Sequence, residues 1–323
     1  MCQPQSHRRR ATKPAIDGNY QGRGYSPAIP PSLPLPMPRL IRQFALLLVT
    51  GLLLQGCSGV RLGYGNADSL ARWWIDQYLD LAPEQDALAR ERLARLHAWH
   101  RNSQLPDYVA LLRQGKQLVA GQPTAADALA LGEGIIRRGR SLAEQATPDV
   151  ADFLPTVTPE QIERMARRLA EKNADYAREA HLADGEEGQR KARYKRLLER
   201  AEYWFDDFSD GQKAALRQLV DSQSSGSRFW YEERLRRQRD WLDLMRRVLR
   251  EPAPRERIMQ WLRDYAAGFD MPADPARLAQ AQALRHASAE VAVAIQAMTT
   301  PAQQAHARHK LDELIRDFTL LSQ

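Results

Sequence analysis

From about residue 68 to the end of the chain, apolar residues recur three and four positions apart and almost never alternate, so the pattern predicts α-helices on nearly every segment. A first helix over 68–81 places Leu70, Trp73, Trp74, Tyr78 and Leu81 on one face. A second, over 188–206, aligns Tyr194, Leu197, Leu198, Ala201, Trp204 and Phe205. A third, over 228–250, aligns Tyr231, Leu235, Leu242, Met245 and Leu249, with Trp241 beside them. No hairpin dipeptide sits between β-branched runs. The predicted class is all-α, a multi-helix bundle of antiparallel amphipathic helices without a sheet. The aromatic stripes are expected to be core, each covered by another helix. Outer faces carry charges at helical spacing, as in Glu91 with Arg95, Glu163 with Arg167 and Glu233 with Arg237, which are expected to pair within their own helices.

Four helix starts share a design. Leu81-Ala82-Pro83-Glu84-Gln85, Val157-Thr158-Pro159-Glu160-Gln161, Phe208-Ser209-Asp210-Gly211-Gln212 and Thr299-Thr300-Pro301-Ala302-Gln303 each put Gln at the third helical position. In the last three, Thr158, Ser209 or Thr300 can cap the amide of Gln161, Gln212 or Gln303 while the glutamine reaches back to the cap's own N–H. Proline at the first helical position is pre-set in φ and needs no N–H there. Val157 and Ile162 are placed to staple the second of these turns. The glutamines are 76, 51 and 91 residues apart, which excludes a fixed-period solenoid. The element resembles the Leu-Thr-x-x-Gln motif of small periplasmic chaperones of the Spy type. Thr158 with Gln161 fits it well; the other sites lack the preceding Leu or, at Ala82, the hydroxyl. Four independent helix caps explain the same residues without any shared function.

Charge is unevenly distributed. The chain of 323 residues has 47 Lys plus Arg against 40 Asp plus Glu, a net +7. Residues 1–56 hold seven of the basic residues and one acid, so the remainder carries only +1, and basicity is no argument for a nucleic-acid partner. Residues 1–36 are a Pro-rich extension expected to be disordered, or a mis-assigned start upstream of Met37. Residues 37–56 then combine Arg39 and Arg42 with an apolar run from Phe44 to Leu54 and a small residue, Gly56, before Cys57, the three-part design of a secretory signal peptide. The run from Phe44 to Leu54 would reach only about 17 Å as a helix, too short for a ~30 Å hydrocarbon layer.

Leu54-Gln55-Gly56-Cys57 resembles the lipobox of bacterial lipoproteins. The resemblance implies cleavage between Gly56 and Cys57, a diacylglycerol on the Cys57 thiol and acylation of its new amino group. Ser58 implies an outer-membrane, periplasmic location. On this reading 57–67 is the lipidated N-terminus and tether, and 68–323 a periplasmic all-α domain. Gly56-Cys57-Ser58-Gly59-Val60-Arg61-Leu62, Tyr64, the run Trp73 to Leu81, Trp99-His100-Arg101 and Leu105-Pro106-Asp107-Tyr108 together resemble an uncharacterised family of proteobacterial lipoproteins. That resemblance implies no catalytic residue.

Candidate chemistry is sparse. His97 with His100, and His306 with His309, sit at i, i+3, but no third ligand accompanies either pair and no His-Glu-x-x-His occurs, so hydrogen bonding between helices is expected rather than metal binding. Gly132-Glu133-Gly134 with Gly139 lacks the Lys-Ser/Thr of a phosphate loop. Ser224-Ser225-Gly226-Ser227 reads as a polar inter-helix loop, and Asp206, Asp207 and Asp210 as acids at a helix start. No catalytic constellation and no cofactor beyond the lipid is expected. The leading functional expectation is binding of an envelope protein partner or client, chaperone-like, in an apolar groove flanked by the glutamine caps. A scaffold with one specific partner comes second. A hydrolase built around His97, His100 and Asp107 is a distant third.

Overall fold

The computed structural model describes residues 59–223 and 226–323, so Gly56 and Cys57 lie outside the described residues. Among the described residues the chain is helical throughout and contains no strand, an all-α bundle. The helices are α1 (Gly59–Gly65), α2 (Ala67–Leu79), α3 (Pro83–Trp99), α4 (Leu105–Ala120), α5 (Ala125–Phe153), α6 (Pro159–Glu179), α7 (Gly185–Phe205), α8 (Asp210–Asp221), α9 (Ser227–Arg250), α10 (Arg255–Ala267), α11 (Pro275–Ala297) and α12 (Pro301–Leu321). A π-helical turn, His100–Gln104, joins α3 to α4, and a 3-10 turn, Leu154–Thr156, follows α5. None of these helices is long and apolar enough to cross a membrane. The described residues belong to one compact unit.

Two apolar cores lie in this unit. One gathers Leu79 from α2, Ala151 from the end of α5, Ile162 from α6, Leu244, Met245 and Val248 from α9, and Ile258, Trp261 and Leu262 from α10. The other joins Ala201 and Phe205 of α7 to Leu216 of α8, Val291 and Ile295 of α11 and Ala307 of α12. Helix α5, with 29 residues and a length of about 44 Å, packs on α3, α4, α10 and α11 and so ties the two regions together. Inside it Gly134 lets α4 approach closely: a Cβ there would lie 2.7 Å from Leu111 Cδ1, so the leucine side chain would have to shift. The neighbouring Arg138 is buried and donates to the carbonyls of Gly134 and Asp107 and to the Asp107 carboxylate, all at 2.8 Å, which fastens α5 to the start of α4. Gly226, at φ +61°, begins α9 in a conformation that side chains resist.

The structure corrects several expectations. Leu70, Trp73 and Trp74 share a face as predicted, but that face is more than half exposed and no helix covers it. The segment expected to be a tether is helical from Gly59, and α1 lies on α12 through Arg61 and the buried Asp317, 3.2 Å apart. Glu91 pairs with Arg95 as expected, at 3.7 Å. Glu163 reaches Arg246 on α9 instead, at 3.0 Å, and Glu233 is held by Arg236 and by Arg277 of α11. Val157 and Ile162 are buried together in the first core, as a staple requires.

Candidate binding grooves and their glutamine clasps

The four capping glutamines join in pairs. At Thr158, Ser209 and Thr300 the hydroxyl accepts the amide N–H of Gln161, Gln212 and Gln303 at 3.3, 3.3 and 3.2 Å. At all four helix starts the glutamine Oε1 accepts the N–H of the cap residue, at 2.9–3.0 Å, so Ala82 has half a box and the others a full one. Each Nε2 then crosses to another helix start. Gln85 donates to Gln161 Oε1 at 3.0 Å and Gln161 to Gln85 Oε1 at 2.7 Å. Gln212 and Gln303 do the same at 2.7 and 3.3 Å. The second Nε2 proton finds a carbonyl in the opposite turn: Thr156 for Gln85 at 2.6 Å, Asp80 for Gln161 at 3.2 Å, Met298 for Gln212 and Asp207 for Gln303 at 2.8 Å. In every case the accepting residue is five positions before the partner glutamine. Each pair is therefore a clasp with local two-fold symmetry.

Both clasps stand where a helix is broken by an aspartate. Asp80 ends α2 at φ 56°, in the left-handed helical region that Asp tolerates better than most residues, and Asp206 ends α7 at φ 67° and ψ −177°, a positive-φ extended conformation outside that region. In the first clasp α2 packs on α3 and α6; in the second α7 packs on α8 and α12. The two assemblies thus repeat one helix arrangement with unrelated spacers.

A groove opens beside each clasp. The larger, of about 510 Å³, lies among α4, α5, α7, α11 and α12, with Leu118, Leu131, Leu197, Trp204, Val291 and Leu311 in its walls. The other, of about 470 Å³, lies among α2, α6, α9 and α10, with Trp74, Tyr78, Met165, Leu169, Trp241 and Phe269 in its walls. Ala307 and Leu311 follow Gln303 by four and eight residues, as Met165 and Leu169 follow Gln161. Residues at that spacing share a helix face, so the face that presents the glutamine to its clasp also presents a wall to the groove.

The charged residues on both walls are arginines, Arg193 and Arg200 in the first groove, Arg234 and Arg237 in the second, and no carboxylate lines either. Burial pushes the Arg193 and Arg237 guanidiniums below the usual arginine range. Arg193 donates to Gln223 at 3.0 Å, Arg234 to Asn173 at 2.8 Å, and Arg237 lies over the Phe269 ring, 5.0 Å from its centre. Sequence reasoning missed these arginines because each falls on the polar side of an ordinary amphipathic stripe. With apolar walls, two cations and a nearby glutamine, Gln296 or Gln238, each groove suits an apolar segment that also carries negative charge.

A family model described as a family of unknown function, DUF6279, matches residues 77–267, more than half of the chain. The chain belongs to that family. The DUF6279 segment runs from the end of α2 through α10 and includes Gln85, Gln161 and Gln212, while Gln303 lies beyond it. No curated protein and no solved structure matches the chain.

Within the DUF6279 segment His97, on α3, and His100, in the π-helical turn after it, pack among aromatic rings. His100 Nδ1 lies 2.8 Å from the Tyr64 hydroxyl of α1, and its ring is 5.3 Å from that of Tyr108. The His97 ring lies 4.9 Å from that of Tyr64 at a tilt of 57°, and its Nε2 is buried without a hydrogen-bond partner. Asp107 is engaged by Arg138. His309 lies 3.6 Å from Glu313. Among the described residues no cluster of three metal-ligating side chains occurs.

The Tyr64–His100 contact has a pH consequence. Burial pushes the tyrosine hydroxyl up to about 12, so it stays a donor, and burial together with His97 holds His100 below its ordinary 6.5. The folded protein therefore favours the neutral ring that accepts from Tyr64. This contribution is complete above pH 6.5 and is lost as pH falls through the lower folded-state value. Acidification is expected to speed amide exchange in α1, corrected for intrinsic rates, ahead of the rest of the bundle. His100→Asn, which keeps an acceptor but does not titrate, is expected to abolish that response. Unaltered α1 protection at pH 5 in the parent protein would contradict the assignment.

Proposed function

We propose that the protein is a lipid-anchored, outer-membrane lipoprotein of the periplasm that acts by binding other proteins, holding apolar segments with acidic flanks in its two grooves. The observation that supports this reading is the pairing of each glutamine clasp with an apolar groove whose charged lining residues are all arginines. The anchor rests on the lipobox resemblance at Gly56 and Cys57, and the chaperone-like character on the Gln161 motif. A scaffold with a single partner would use the same grooves for one fixed ligand.

The grooves are tested with the 58–323 body, which contains both cores and forms its own compact unit. It is expected to suppress aggregation of a chemically unfolded, acidic protein in a light-scattering assay. Leu131→Glu, which places a carboxylate in the first groove, is expected to reduce that activity severalfold, and Arg200→Glu to weaken it for acidic clients alone. Unchanged aggregation at severalfold molar excess of the body would reject the chaperone-like reading. In-cell crosslinking to one dominant partner would favour the scaffold. Labelled palmitate incorporated into the parent protein and absent from Cys57→Ser is the expected result for the anchor.

A further inference from the structure

The stripe that the sequence pattern assigned to the core points to a membrane contact. Between Gly59 and Leu79, nine residues are exposed and none is charged, in a chain that is 27% charged overall. Four of them are large: Leu62, Leu70, Trp73 and Trp74, all more than half exposed. The charged residues of α1 and α2, Arg61, Asp68, Arg72 and Asp76, are all only partly exposed. Arg61 is engaged by Asp317 of α12, Arg72 by Asp86 of α3, and Asp76 accepts the N–H of Leu81. Ser69, Leu70, Trp73, Trp74 and Gln77 follow one another around one side of α2, which gives a continuous uncharged face.

This face is rigid and is close to Cys57 along the chain. Gly59, where α1 starts, is two positions after Cys57, a span of at most about 7 Å. Helix α1 is held by Asp317 at one position and by His100 at another, so it cannot swing away as a flexible tether would. Tryptophan, with an apolar body and a polar N–H, partitions to the boundary between headgroups and acyl chains.

We propose that the outward face of α1 and α2, centred on Leu70, Trp73 and Trp74, docks into the surface of a phospholipid bilayer. The inference deepens the lipid-anchor reading and rests on it for the bilayer's being at hand. Because the face has no exposed cation, contact depends on apolar burial and is insensitive to the fraction of anionic lipid. The lipid would then set the orientation of the body as well as its location, with α2 against the bilayer and the second groove, whose wall Trp74 shares, opening at the edge of the docked face.

The test uses the full-length protein in vesicles of phosphatidylethanolamine and phosphatidylcholine with brominated acyl chains. All seven tryptophans lie at or beyond Trp73, so emission reports only on the body. Part of the emission is expected to be quenched, the quenched part to disappear in the Trp73→Ser/Trp74→Ser variant, and its size to be unchanged when phosphatidylglycerol is added. Leu70→Glu, which leaves both tryptophans in place, is expected to reduce it. Thermal melts of the variants should match the parent, because these side chains are exposed. Equal quenching in parent and double variant overturns the proposal, as does quenching that requires anionic lipid. A parent dimer that becomes a monomer in the double variant, without quenching, overturns it in favour of contact between copies. Palmitate labelling of the same proteins separates the two readings: label without quenching rejects docking alone, and quenching without label rejects the anchor while docking stands.

Discussion

Gln303→Glu is expected to destabilise the protein by about 2–3 kcal/mol at pH 7, although it leaves the helix cap intact. A capping box accepts Glu as readily as Gln, since only an acceptor for the cap's N–H is needed. The clasp also needs a donor. Gln303 is buried and gives its two Nε2 protons to the Asp207 carbonyl and to Gln212. A carboxylate there would face the Asp207 carbonyl with no proton between them. Protonation restores a donor, so burial and that carbonyl should raise the pKa of the introduced carboxyl above its ordinary range. A raised value means that the folded state holds the proton more tightly, so stability is retained at low pH and lost as pH rises through the folded-state value. The variant's deficit relative to the parent should therefore shrink between pH 7 and pH 5. Chemical denaturation at both pH values checks this. A deficit under 0.5 kcal/mol, or one that grows on acidification, would show that the clasp adds nothing beyond the caps. A double-mutant cycle of Gln212→Leu with Gln303→Leu should yield a coupling of about 1–3 kcal/mol.

Glu233→Gln should cost about 2–4 kcal/mol, because it removes the anion from between two arginines. Glu233 is 1% exposed, with Arg236 Nε at 2.8 Å and Arg277 Nε at 2.7 Å, and it ties α9 to α11. Burial opposes its ionisation, but hydrogen bonds from Arg236 and Arg277 prevail and hold the carboxyl below its ordinary 4.5. A depressed value contributes stability that is complete above pH 4.5 and lost as pH falls through the folded-state value. The parent should lose stability in that acid window, and the variant, already deprived of the ion pair, should lose less. Denaturation midpoints at pH 7 and pH 4 measure both effects. Equal acid sensitivity in the two proteins would place the loss elsewhere.

Helix identity and capping were legible because both are local. Period 3.6 and a five-residue cap are read within one or two turns, and Thr158, Ser209 and Thr300 cap as their spacing predicts. Periodicity reports which residues share a face, not whether another helix covers it, and for that reason Trp73 and Trp74 were assigned to the core. Sequence spacing also fails for ion pairs whose better partner lies on another helix: Glu163 sits four residues from Arg167 yet pairs with Arg246. The clasps left one unread trace. All four boxes use Gln where Glu would cap equally well, and that preference for an amide signals a donor in use. Which glutamine meets which depends on packing between helices 76 and 91 residues apart, and no local pattern encodes it. The grooves were legible only as expected neighbours of the caps; their arginines were not.

The clasps also constrain the order in which the chain can finish folding. Each closes a long loop, and because closure entropy grows only slowly with length, the two loops differ little in cost. They differ in when they can close. Gln85 meets Gln161 once the first half of the chain is available, whereas Gln212 has no partner until Gln303, in the last helix, arrives. For a chain delivered from its N-terminus, by synthesis or through a pore, the larger groove lacks its α11 and α12 walls until Leu311 is through. That groove cannot trap the protein's own incoming apolar segments, because it does not exist while they are still passing.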